Sequence, residues 1–214
     1  MCEAGQSSCS GLRAGFEDGN ALCPPNGPKR LHGGDTDFEG LLLVGGYCLL
    51  PNQTHLVAVP ENEEGLRRTI GEAHRRYTRR INFRKKWRGH LWQGRFGSFV
   101  MNGPYLLNCA RYVERNPVRA GLGDRPAEYP WSSAKAHLDG KDDILVRVRP
   151  LLDMIPQWSK HLAVEPDAET VQRFKRHEGT GRPLGTERFV KKLEALLDRV
   201  LHPCKPWRKP IKKS

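Results

Sequence analysis

The chain has 214 residues, with 36 Lys and Arg against 24 Asp and Glu and a formal net charge of +12. That length suits one domain with appendages, and the charge draws the protein toward polyanions at long range. No run approaches the ~18 apolar residues of a membrane span, since residues 41–50 are short and broken by Gly45 and Gly46. The N-terminus lacks the basic-then-apolar pattern of a secretory signal. Cysteines 2, 9, 23, 48, 109 and 204 form no Cys-x-x-Cys pair and no zinc spacing. Cys48 and Cys109 sit in apolar patterns and read as buried thiols, which fits a reducing cytoplasm.

Residues 1–40 are rich in Gly and Pro, show no apolar periodicity, and carry more acidic than basic side chains, against the sign of the rest. That composition predicts a disordered or aberrant arm with no strand, and removal of residues 1–38 is expected to change stability little. An apolar strand follows, then a turn at Pro51-Asn52 and a second strand. Gln53 and His55 lie two residues apart in it and project from the same face. Such a pair reads either as a surface hairpin facing water or as two heads able to hold a divalent ion against a phosphate.

A helix is predicted over about 63–84, with Leu66, Ile70, Ala73, Tyr77 and Ile81 as its apolar stripe. Arg67, Arg68, Arg75, Arg76, Arg79, Arg80 and Arg84 fill much of the remaining surface, continued by Lys85, Lys86 and Arg88. A solvated face is the ordinary fate of such a run. Glu72 is the one acid among them, however, so few of the charges have an i,i+4 partner, which favours phosphate contact. His90 and Trp92, interleaved with Arg88 and Arg95, suit stacking on unpaired bases with guanidinium groups on phosphates. Phe96, Phe99 and Val100 read as a core strand.

A second helix opens near Gly103-Pro104, where proline is favoured at the first helical position. Leu106, Ala110 and Val113 form one stripe; Tyr105, Cys109, Tyr112 and Asn116 form another. Tyr112 and Asn116 are a turn apart, and Pro117 ends or bends the helix behind them. They read as a core tyrosine with a helix-end asparagine, or as a nucleophile beside a metal ligand. Residues 124–131 read as a loop anchored by Trp131. Two short helices, about 167–177 and 186–201, flank the turn at residues 179–185 that carries Arg182, an arrangement compatible with a helix-turn-helix-like DNA module.

Four stretches taken together resemble one family: residues 47–60, Gly89-His90-Leu91-Trp92-Gln93-Gly94-Arg95-Phe96, residues 110–121, and Tyr129-Pro130-Trp131-Ser132-Ser133-Ala134. With Gly179-Thr180-Gly181-Arg182-Pro183-Leu184-Gly185, they resemble the REP-associated tyrosine transposases, a branch of the insertion-sequence-200-like single-tyrosine HUH transposases. The likeness covers roughly residues 41–214; the opening strand and helix of that family have no counterpart in the first forty. It implies an α/β (α+β) fold, a ferredoxin-like antiparallel sheet with helices on one face and a small helical C-terminal extension. The implied organisation is an arm at 1–40, an HUH transposase-like catalytic and DNA-binding domain at 41–138, a linker at 139–166, the helical extension at 167–204 and a basic tail at 205–214.

The resemblance also implies the chemistry. Paired histidines hold Mg²⁺ or Mn²⁺ against a phosphate of single-stranded DNA, and a helix-borne tyrosine attacks it to leave a 5′-phosphotyrosine. Carried over residue by residue, Tyr112 is the nucleophile, and His55, Gln53 and Asn116 are the metal ligands. The basic run and its aromatics add the expected DNA contacts: Arg67, Arg68, Arg75, Arg76, Arg79, Arg80, Arg88, His90, Trp92, Arg95, Arg119 and Arg182. The family's first histidine is replaced by Gln53, whose amide oxygen suits Mg²⁺ better than Mn²⁺ and weakens the site. The function implied is nicking and rejoining of hairpin-bearing single strands in DNA transposition; the alternative is a catalytically impaired relic that only binds DNA. A general RNA-binding protein is a weaker third class, because no RNA module is recognisable. The expected setting is the bacterial cytoplasm near the nucleoid, as monomer or homodimer, without a membrane partner.

Overall fold

The computed structural model describes the backbone of residues 7–13 and residues 42–203 in full. The strands are β1 (Ser7–Arg13), β2 (Leu42–Leu49), β3 (Gln53–Pro60) and β4 (Gly97–Met101). The helices are α1 (Gly65–Lys85), α2 (Gly103–Glu114), α3 (Asn116–Arg119), α4 (Ala134–Asp139), α5 (Arg149–Leu152), α6 (Trp158–Ala163), α7 (Ala168–Thr180) and α8 (Glu187–Leu197). The strands form a 4-stranded sheet in the order β2-β3-β1-β4, with every neighbouring pair antiparallel. β3 and β4 therefore run parallel with β1 between them, bridged by α1. That is the split β-α-β arrangement of the ferredoxin-like fold, and the expected mixed α/β class holds.

β1 corrects the expectation that nothing before residue 41 joins the sheet. Ser8 to Arg13 pair with Ala58 to Gln53 of β3, and Ser7 to Gly11 pair with Met101 to Gly97 of β4. Its composition (Ser-Ser-Cys-Ser-Gly-Leu-Arg) has low strand propensity and no alternation, so the sequence carries no sign of it. Hydrogen bonding from both sides defines this strand. The rest of the expected arm and the basic tail at 205–214 lie outside the described residues.

Helices cover both sheet faces, one more than expected. Strand alternation sends Val44, Tyr47 and Leu56 to one side, where they meet Ile70 of α1. Cys48, Val57, Phe99 and Met101 go to the other, where Cys109, Ala110, Tyr112 and Val113 of α2 and Phe174 of α7 pack on them. Cys48 and Cys109 are buried free thiols, as expected. α2 starts from an extended Asn102 with Pro104 in its first turn. α1 closes on Lys86 in the left-handed conformation, with Arg84 and Lys85 on its carbonyl end.

Segments expected as linker and separate module complete this core. Val146, Val148, Leu151, Trp158 and Leu162, all within 139–166, are buried. The outer edge of β2 is occupied: Leu49 N–H donates to Trp131 O (2.8 Å), Ser133 N–H to Tyr47 O (3.0 Å) and Arg147 N–H to Val44 O (2.9 Å). Leu184 does the same for β4, its N–H donating to Val100 O at 2.8 Å. Both edges are thus shielded from pairing with another chain. α7 lies close on β4 at Gly97, where an added Cβ would sit 2.8 Å from the Glu178 carbonyl oxygen. Helix α7 is a core element, so the pair α7–α8 is not a free-standing helix-turn-helix module.

Candidate active site

Period-two projection from β3 puts Gln53 and His55 on the face covered by α2. His55 is buried there, its ring edge-on to Tyr112 with centroids 6.2 Å apart. Gln53 is half-buried at the start of the strand, opposite Arg13 of β1. Tyr112 is 5 % exposed, tilted against Phe174 of α7 at 5.2 Å between ring centroids. Pro117 breaks the helix after Glu114, and the turn of α3 then folds Arg119 back over Tyr112. The Arg119 guanidinium carbon stands 4.3 Å from the Tyr112 ring centroid. One nitrogen, Nη2, donates both to the Tyr112 phenolic oxygen (3.0 Å) and to the Asn116 side-chain oxygen. Burial pushes the Tyr112 phenol up from its ordinary value, while the hydrogen bond and charge of Arg119 pull it back.

Tyr112, His55, Asn116 and Arg119 are therefore brought together from β3, α2 and α3. Arg119 belongs to this cluster through its contact with the phenol, beyond the DNA contact expected of it. A divalent ion is a poor fit to the expected ligand set. Asn116 is buried and its side-chain oxygen already accepts from a guanidinium, while its side-chain amide nitrogen has no acceptor among the described residues. What remains is one imidazole and one neutral amide. No group of three His, Cys, Asp or Glu able to hold a metal occurs among the described residues.

The basic helix face divides into paired and unpaired charges. Arg67 is held by Glu64, and Arg75 and Arg76 by Glu72. Arg68, Arg79, Arg80 and Arg84 are exposed and make no ion pair among the described residues, and Arg88, His90 and Arg95 are exposed beyond the helix. Trp92 is not a free stacking surface: it lies flat on His74 at 3.9 Å, and its ring N–H donates to the His74 carbonyl. Burial in that stack pushes the His74 imidazole down from its ordinary value. Arg182 is half-buried, and its Nη1 donates to the carbonyl of Leu201, beyond the end of α8, at 3.5 Å.

Two residues escaped sequence reading. Phe83 is 90 % exposed, with Arg79 and Arg80 four and three positions before it on the same helix surface. The signal was present: Phe83 falls off the apolar stripe of its helix, so nothing in the core claims it. Glu114 is fully buried, accepting from Ser133 Oγ (2.6 Å) and Trp158 Nε1 (2.9 Å) and lying 2.6 Å from His137 Nδ1. Its partners lie 19 to 44 residues away, beyond the reach of local pattern.

No known family profile matches this chain, and no curated protein does either. Among solved structures, a REP-associated tyrosine transposase bound to a REP hairpin is similar over 69% of this chain and 92% of that one, at 14% identity and a TM-score of 0.41. At that score and identity the likeness carries no argument about this chain. No described helix is long and apolar enough to cross a membrane.

Proposed function

We propose that the protein binds single-stranded, hairpin-bearing DNA and that Tyr112 attacks a phosphodiester to form a phosphotyrosine link, the nicking half of a transposase-like strand transfer. One observation carries this reading: a phenol, a guanidinium and a carboxamide are held together at Tyr112, Arg119 and Asn116, with His55 edge-on behind them. A phenol is a weak nucleophile at neutral pH and needs a charge or base beside it. The face around Arg68, Arg79, Arg80 and Arg84 supports the DNA partner. In the test, a labelled hairpin oligonucleotide is incubated with protein and run on a denaturing gel. Wild type should give a covalent band, and Tyr112→Phe should abolish the band while leaving binding within a few-fold.

The burial of Tyr112 under Phe174 favours a second reading, DNA binding without chemistry. It predicts tight binding and no covalent band with any variant.

Binding has its own expected signature. Four unpaired arginines, each on a phosphate, should give a slope of log affinity against log salt of about −3. Phe83→Ala should weaken binding to a single strand by about 1–3 kcal/mol, the worth of one stacked base, and leave affinity for a fully paired duplex unchanged. An equal loss on both would show that Phe83 does not stack on unpaired bases.

A further inference from the structure

Beside Tyr112, Arg119 and Asn116 keep donors unused, while burial and, from farther off, the Glu178 carboxylate push the phenol up. Of the five N–H donors of Arg119, the two on Nη2 are used by Tyr112 and Asn116. No partner occurs among the described residues for Nε or Nη1, and the residue is exposed. The Asn116 amide nitrogen, in a residue 1% exposed, is likewise without an acceptor. The buried, unsatisfied Asn116 donor favours an incoming acceptor, and the exposed Arg119 guanidinium is open to an anion. A cation at the same place would have to displace the guanidinium from the Asn116 oxygen and then stand beside its charge.

We propose that Arg119, rather than a divalent ion, supplies the positive charge at Tyr112, and that its free edge takes the oxygens of the phosphodiester that Tyr112 attacks. This rests on the nucleophile reading above and replaces the metal expected of the site. A guanidinium stays protonated at any working pH and offers a planar fork matched to two phosphate oxygens. Because Nη2 donates to the phenolic oxygen, the phenol's own proton points elsewhere. In the step, a bond forms between the Tyr112 oxygen and phosphorus as the phosphorus–alkoxide bond breaks. The phenol proton ends on the departing alcohol, directly or through solvent, so no further reactant is required. Charge that builds on the phosphoryl oxygens and the leaving oxygen meets the guanidinium, a preorganised donor of the kind that stabilises such transition states.

The test uses full-length wild type, Arg119→Lys and Arg119→Ala, all in EDTA. Inorganic phosphate is titrated into protein carrying ¹³C-labelled tyrosine, with the Tyr112 ring signal assigned through Tyr112→Phe. Wild type should show a saturable shift of that signal. Lys, a point charge without the fork, should weaken it, and Ala should lose it. No shift in wild type, or an undiminished one in Ala, overturns the proposal. With the hairpin oligonucleotide, adduct formation should be unaffected by EDTA, fall by about 10²–10³-fold in Arg119→Ala, and recover in part with added guanidinium. Adduct that appears only with Mg²⁺ or Mn²⁺ also overturns it. If even wild type gives no adduct, the nucleophile reading fails, and the phosphate titration still decides whether Arg119 is the anion-binding charge.

Discussion

Deleting residues 1–13 should abolish cooperative unfolding. β1 is hydrogen-bonded on both sides, from Ser8 to Arg13 along β3 and from Ser7 to Gly11 along β4. Without it β3 gains an open edge facing the core, and β4 has no strand neighbour. Backbone N–H and C=O groups left unpaired away from water each cost about as much as a lost hydrogen bond, and β1 serves many of them at once. β4 also supports α7 at Gly97, so Phe174 would lose its seat against Tyr112. A circular-dichroism melt of the truncated protein should lack the sigmoidal transition of the full chain. A melt within a few degrees of full length would mean that the sheet stands without β1. This reverses what composition alone predicts for the arm.

The second large effect is expected at Glu114. Its carboxylate gathers Ser133 Oγ, Trp158 Nε1 and His137 Nδ1, and Ser133 Oγ also accepts the Tyr47 backbone N–H at 2.9 Å. The His137 ring stacks on Trp158, with centroids 4.6 Å apart. One side chain thereby ties β2, α2, α4 and α6 together, two residues from Tyr112. Glu114→Ala would strand the buried Trp158 N–H, leave Ser133 Oγ and His137 Nδ1 only their 3.3 Å contacts to the Tyr47 and Ser133 carbonyls, and open a cavity, which should cost about 3–5 kcal/mol. For a chain of this size that is a fall of about 6–20 °C in Tm, taking about 2–4 °C per kcal/mol. Glu114→Gln keeps one acceptor oxygen and should lose about half as much. A loss below about 1 kcal/mol in Glu114→Ala would show that the network is slack.

The parts of the fold that were legible share a cause. The β2–β3 hairpin, α1, β4 and α2 each repeat an apolar residue at the period of their own element, and Pro51, Pro104 and Pro117 punctuate them. The strand face shared by Gln53 and His55 and the helix neighbours Tyr112 and Asn116 follow from those periods. What the sequence did not show is set by distant partners. β1 is defined by its two neighbours, and the core role of 139–166 by contacts such as Tyr47 Oη donating to Asp143 at 2.8 Å, 96 residues apart. Trp92 looked like a base-stacking ring because aromatics among arginines suit that role, and His74 took the place of the base. Arg119 looked like one more phosphate contact until the turn at Pro117 brought it onto the phenol.

The central claim is that Tyr112 is the group that reacts with DNA. Its most direct measurement is mass spectrometry of the protein after incubation with a hairpin oligonucleotide, followed by nuclease trimming and peptide mapping. The account predicts a single nucleotide-bearing peptide, the one containing Tyr112, lost in Tyr112→Phe. An adduct on Tyr47, Tyr77, Tyr105 or Tyr129, or none at all from folded protein that binds the hairpin, would contradict it.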